Sequence, residues 1–263
     1  MIATIHDLAT QAVYPRWWEN LYYGVMPHYT NIVRRFLLKK VAKLIAVSQA
    51  TQRELIGLGI KIPIKVVPNG VRGIFSPPAF PIRKKHILAM TDFSPRKNIG
   101  RTITAYANLP LGLRQKYPLV VVISMEAPRQ LIERTAHQLG VSEFIKTEKQ
   151  VSQKRLVQLY QEAVVFVYPS LYEGFGLPIL EAMACGCPVV TSNYGAPREV
   201  AGGAAYLVDP PSISDITRAL EKMLGERLVR QKFIKLGYSQ AKLFSWETSA
   251  RATLKIYEKL AAA

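Results

Sequence analysis

Two glutamates, Glu173 and Glu181, bracket a glycine-rich turn in the stretch YEGFGLPILEAMACGCPVVTS, residues 172–192. Carboxylates accept hydrogen bonds from neighbouring hydroxyls, so a pair placed around such a loop suits a polyhydroxylated ligand such as a sugar or a ribose. Gly174 and Gly176 carry no Cβ and let a ligand come close to the backbone. The same two glutamates could equally cap a helix start, and on their own they leave both readings open. A second cluster stands at TDFSPRKNI, residues 91–99, where Arg96 and Lys97 offer adjacent positive charges. On a loop these could be ordinary solvated cations. Fixed near a leaving group, they would stabilise charge developing on a departing diphosphate. No Asp-x-Asp element appears, and the four histidines show no metal-ligand spacing, so no metal is expected.

The elements that must position these residues alternate along the chain. Apolar, β-branched runs such as LIAVS, IKVVPNGV, KHILAM, YPLVVVIS, AVVFVYPS, CPVVTS and AAYLVDP end in Gly, Pro, Asn or Ser and predict buried parallel strands. Helical periodicity falls between them, at 29–43, 49–57, 98–108, 128–138, 152–163, 178–185 and 214–224, and over 226–260 with a break near Phe244–Ser245. This alternation predicts an α/β fold with doubly wound parallel sheets and ligands at the carboxyl ends of the strands. Glu173 then lies in the loop after VVFVYPS, and Glu181 about one turn into a helix that opens at Pro178 and closes at Gly186. Asn69 and Gly70 make a turn leading into RGIFSPPAFPIRKK, a segment of linker composition.

Bulk properties narrow the partners. With 49% hydrophobic residues in 263, the chain can bury a large core. Its net charge of +17 is uneven: residues 1–150 hold 22 Lys and Arg against 8 Asp and Glu, while residues 151–263 hold 13 against 10. That bias favours an anionic partner, phosphates or a membrane surface. Nucleic acid is not expected, because no zinc-finger spacing, aromatic RNA-binding signature or recognition helix is present. Cys185 and Cys187, one residue apart, are small core residues of a reducing compartment. The start MIATIHDLAT lacks a signal-peptide pattern, and no apolar run is long enough to span a bilayer, so a cytoplasmic setting is expected, with the inner face of a membrane as a further contact.

The combination of HDL at 6–8, VPNGV, PRKN and the block PSLYEGFGLPILEAMACGCPVVTSNYGAPREVAGGAAYLVDP closely resembles the retaining glycosyltransferases of family 4, the group 1 transferases, over residues 1 to about 260. The resemblance implies a GT-B fold of two facing Rossmann-like domains, and metal-independent transfer of a hexosyl group from a nucleotide-diphosphate sugar, with retention, to a saccharide or lipid-linked acceptor. Positions carried over from the motif give each residue a role. Glu181 would bind the donor ribose. Glu173 and the backbone of Gly174, Phe175 and Gly176 would hold the donor sugar, backed by Leu177. Arg96 and Lys97 would hold the diphosphate, and His6 would lie near the donor sugar. No cofactor beyond the donor, GDP-mannose or a UDP-sugar, is implied.

Departures from the pattern qualify those expectations. Thr91 stands where many relatives carry arginine; a subgroup rich in mannosyltransferases has threonine there, which leans the donor toward GDP-mannose. The loop FIKTEKQVS lacks the glycine that usually flanks the base. A full Rossmann-like domain takes about 150 residues, so residues 1–80 are expected to be a partial first domain with linker. Residues 81–244 would be the nucleotide-sugar domain, and 245–263 a helix returning to the first. A shortened first sheet would leave an edge open to self-association or a partner through residues 1–80. The aromatic and basic segment 14–44 is a core-facing helix or a foot for anionic lipid. A nucleotide-sugar-binding protein with little transfer of its own is the alternative function.

Overall fold

The computed structural model describes residues 1–8, 41–92, 94–124 and 127–262. Two parallel sheets organise them. The smaller is formed by β1 (Ile2–Ile5), β2 (Lys43–Ala46) and β3 (Ile64–Val66) in that spatial order. A βαβ crossover joins the last two strands through α1 (Gln49–Gly57), whose Leu55 is buried toward the sheet. Leu55 packs with Leu44 and Ala46. Ser48 caps α1 by accepting from the Thr51 amide, one of the groups a helix start leaves without a partner.

The larger sheet has six parallel strands: β4 (His86–Thr91), β5 (Leu119–Ile123), β6 (Ile145–Lys149), β7 (Ala163–Tyr168), β8 (Val189–Ser192) and β9 (Tyr206–Val208). Their spatial order is β6-β5-β4-β7-β8-β9, which in the unit's own count is 3-2-1-4-5-6, the doubly wound arrangement. Every residue of β5 and β7 is buried, because helices cover both faces of the sheet. On one side lie α2 (Ile99–Ala107), α4 (Ala127–Gln138) and α8 (Ile213–Gly225), with the short α3 (Leu111–Lys116) leading into β5. On the other lie α5 (Gln153–Glu162), α6 (Leu177–Ala184) and α9 (Arg227–Ala241), with α7 (Gly195–Ala201) beside α6. Together these elements make the mixed α/β fold with doubly wound parallel strands expected from the sequence.

Two chain crossings run side by side between the sheets. Val71 bridges to Ser245, and its amide donates to the Phe244 carbonyl at 3.0 Å. A Cβ on Gly70 would stand 2.0 Å from the Trp246 nitrogen, so only glycine permits this approach. Beyond the expected break, α10 (Trp246–Ala261) starts at the N-cap Ser245 and buries Ile256 against Ile45 and Val67. Phe75, within the proline-rich segment, packs edge-on to Tyr160 in the larger core.

Several elements depart from the sequence-based expectation. The helix foreseen over 29–43 falls outside the described residues up to 40, and Lys43 opens β2 instead. Strand β6 was not foreseen: it lies at a sheet edge, and its sequence, IKTEK, is polar because one of its faces stays in solvent. Cys185 and Cys187 are buried free thiols, with burial pushing both pKa values up to about 12.

Candidate functional site

The strand order of the larger sheet reverses between β4 and β7, so the loops following these strands flank a crevice at their carboxyl ends. After β4 the chain turns through a 3-10 helix, Pro95–Lys97, and Asn98 closes it in the left-handed region at φ 60. Asn98 is buried, and its amide group donates to the Pro169 carbonyl at 3.0 Å and the Pro210 carbonyl at 2.8 Å. The Arg96 carbonyl accepts from the Leu171 amide at 2.7 Å. These bonds fasten the Arg96–Lys97 turn to the loop that carries Glu173.

Arg96, Lys97 and Glu173 meet there. Lys97 Nζ lies 2.8 Å from Glu173 Oε1, and Arg96 Nη1 lies 2.8 Å from Glu173 Oε2. The Tyr168 hydroxyl donates to Glu173 Oε1 at 2.7 Å and accepts from Lys97 Nζ. Asp92 completes the cluster, 3.5 Å from Arg96. Glu173 is only 9% exposed. Burial alone would raise its pKa, but Lys97 and Arg96 outweigh that effect and hold the carboxyl below its ordinary range. The Arg96 guanidinium is held above its own, because Glu173 and Asp92 outweigh the effect of burial. Glu173 is therefore an ionised carboxylate whose two oxygens are committed to two cations.

Beside this cluster opens a cavity of about 300 Å³. Met90, Thr91 and Asp92 line it from β4, Val122 to Ser124 from β5, Gln150 and Val151 from the loop after β6, and Lys97, Tyr168 and Pro178 from the cluster side. Gln150 sits at φ 44, a left-handed position where glycine is commoner. This is the loop in which the sequence lacks the expected glycine, so its backbone turn is made by a residue with a side chain.

Glu181 lies on α6, away from the cation cluster. Its carboxyl accepts from the Tyr160 hydroxyl at 3.3 Å, and burial raises its pKa to about 7, with Tyr160 and Arg72 opposing the rise. Gly176, at φ 110, forms the N-cap of α6, and Leu177 is its first residue. Phe175 packs edge-on to Phe244, 5.8 Å between ring centres. Gly174 touches the smaller unit: a Cβ there would stand 1.9 Å from the His6 carbonyl oxygen. His6 itself is exposed and meets the loop through its backbone.

Further contacts across the two units escaped the sequence reading. The Ser48 and Thr51 hydroxyls donate to the Gly174 carbonyl at 2.8 and 3.1 Å. The Tyr172 hydroxyl donates to Glu54 at 2.8 Å and accepts from the Leu8 amide at 2.9 Å. Glu199 of α7 accepts from the Gln49 and Ala50 amides at 2.8 and 3.0 Å. Tyr168 also went unremarked, because in the sequence it is one more apolar residue of a buried strand.

The two parallel-sheet units, with a cation and carboxylate cluster at the strand-order reversal of the larger one, have the GT-B type of fold. The chain belongs to the glycosyl transferases group 1 family, whose pattern matches residues 73–240, and residues 1–72 match glycosyltransferase family 4. It is 38% identical over 192 residues to O-antigen chain mannosyltransferase B of Escherichia coli, covering 68% of this chain and 49% of that protein. It is 30% identical over 275 residues to an MMP alpha-(1->4)-mannosyltransferase of Mycolicibacterium hassiacum, covering 98% of this chain and 65% of the relative. The chain thus spans between half and two thirds of the length of these relatives. Among solved structures, sucrose-phosphate synthase from Thermosynechococcus elongatus superposes with a TM-score of 0.86 at 24% identity, over 99% of this chain and 68% of the other. Anabaena HepE in complex with UDP and glucose superposes at 0.81 and 19% identity, over 100% and 71%.

Proposed function

We propose that the crevice binds a nucleotide-diphosphate sugar and that the chain carries the donor half of a retaining, metal-independent hexosyl transfer. The carrying observation is the pairing of Lys97 and Arg96 with Glu173 beside a cavity large enough for a nucleoside. Two cations that need a carboxylate to balance them form a site that a diphosphate can occupy. Lys97 and Arg96 hold the phosphates and take up the charge that accumulates as the anomeric bond breaks. Glu173 stays ionised between the two cations and accepts from sugar hydroxyls with the acceptor capacity that three bonds leave it. The acceptor hydroxyl then enters from the leaving-group face and gives its proton to a phosphate oxygen. Glu181 accepts from the ribose hydroxyls, and the backbone of Gly174 to Leu177 borders the sugar.

GDP-mannose is the favoured donor. Thr91 and the two mannosyltransferase relatives support it, and the HepE complex with UDP makes a UDP-sugar the competing candidate. The acceptor is a saccharide or a lipid-linked saccharide, which the basic first part of the chain would help to approach at a membrane surface. Nucleotide-sugar binding with little transfer of its own is the second reading. A donor screen with product analysis tests both: mannose transfer with the α-configuration kept supports the first, and saturable donor binding without product supports the second. Binding of neither GDP-mannose nor UDP-sugars overturns both.

A further inference from the structure

Four of the bonds that cross from the smaller unit converge on one short loop, residues 172–174. Ser48 and Thr51, both buried, direct their hydroxyls at a single atom, the Gly174 carbonyl oxygen, across 126 and 123 residues of sequence. Tyr172, two residues earlier, is held by Glu54 and by the Leu8 amide. At its other side, α1 is held by Glu199, whose two carboxylate oxygens take the Gln49 and Ala50 amides of the first turn. A charge-assisted bond at an N-terminus is favoured by the helix dipole as well.

From this arrangement we infer that α1 sets the orientation of the donor-sugar loop, with Ser48 and Thr51 as positioning residues and Glu199 as the latch that keeps α1 docked; the inference rests on the function proposed above. The physical link is the planarity of the peptide unit. In a trans peptide the carbonyl and the following N–H point in opposite directions within one plane. Pinning the Gly174 oxygen toward α1 therefore turns the Phe175 N–H away from it and fixes that donor's direction. Gly174 lies too close to the His6 carbonyl for any side chain, so the loop reaches the two hydroxyls only because its residue is glycine. The phosphate cations take their backbone anchors from the larger unit, through Asn98 and Leu171, and meet the loop through Glu173 and the Tyr172 carbonyl rather than through the Gly174–Phe175 peptide. Sugar placement thus leans on α1 more directly than nucleotide binding does.

The test is calorimetric titration of the full chain with GDP and with GDP-mannose, repeated with UDP and UDP-glucose, for wild type and for Thr51→Val, Glu199→Gln and Thr51→Ser. The quantity read is the ratio of the two dissociation constants, which isolates what the sugar adds. Thr51→Val and Glu199→Gln are expected to keep nucleotide affinity within about twofold while changing that ratio by roughly three- to tenfold, the scale of one net hydrogen bond. Thr51→Ser, which keeps the hydroxyl, is expected to restore the wild-type ratio. An unchanged ratio in both variants overturns the inference, as does a parallel loss of nucleotide and donor affinity, which would mean general damage. If wild type binds neither nucleotide, the proposed function falls, and the inference with it.

Discussion

Glu173 and Lys97 stand 76 residues apart in sequence and 2.8 Å apart in the fold, so the protein's own carboxylate engages the cation that the proposed diphosphate would use. An arriving diphosphate must share or displace that contact. The pairing also stabilises the two loops, since removing one member of a buried ion pair strands the other charge in poor solvent.

Replacing Glu173 with Ala is accordingly expected to act in opposite directions on stability and on nucleotide binding. Unfolding free energy should fall by about 3 kcal/mol, the cost of breaking a buried pair. GDP or UDP affinity should stay level or rise, because Lys97 and Arg96 are released, while sugar transfer is lost. Urea unfolding and calorimetry check the two halves. Weaker nucleotide binding in this variant would place Glu173 on the nucleotide rather than on the sugar.

Glu181 gives a pH prediction. Its folded pKa of about 7 lies above its ordinary value of 4.5, so between these values the unfolded state ionises while the folded state keeps the proton. The unfolded state then binds fewer protons, and stability falls as pH rises through that window. Glu181→Gln should leave stability near pH 4 unchanged and raise it at pH 8 by about 1 to 3 kcal/mol. In the same variant, the gain in nucleotide affinity between pH 6 and pH 8 that comes from forming the ribose-accepting carboxylate should vanish. Parallel stability curves for the two proteins across this range would contradict the account.

Gly174→Ala places a Cβ 1.9 Å from a backbone oxygen, which cannot move as a flexible side-chain end would. Overpacking of this kind costs about 1 to 3 kcal/mol. The loop is expected to lift away from His6, so thermal unfolding should come earlier and transfer should fall, with GDP or UDP affinity kept. A variant as stable and as active as wild type would show that the contact is not required.

Much of this was legible in the sequence where burial is complete. Strands β5 and β7 read as apolar throughout, and β4 and β8 mostly so, because helices cover both faces, and the loop after β7 announces itself by its glycines and glutamates. Strand β6 escaped because an edge strand with a wet face resembles a polar loop. Ser48, Thr51 and Glu199 escaped for another reason: their importance comes from partners more than a hundred residues away, and no local pattern records such a pairing. Ser48 ends a strand-like run, and Glu199 falls in a stretch where no helix is expected from the sequence, within the block that carries the family resemblance.

The central claim, that Lys97 and Arg96 form the diphosphate site of a nucleotide-sugar transferase, is tested most directly by calorimetric titration of GDP and UDP into wild type and Lys97→Ala. Wild type is expected to bind at least one of them saturably, and the variant to bind it more weakly by about 1.5 to 3 kcal/mol, the scale of a hydrogen bond to a charged group. Equal affinity in the two proteins, with the variant shown to be folded, would contradict the assignment.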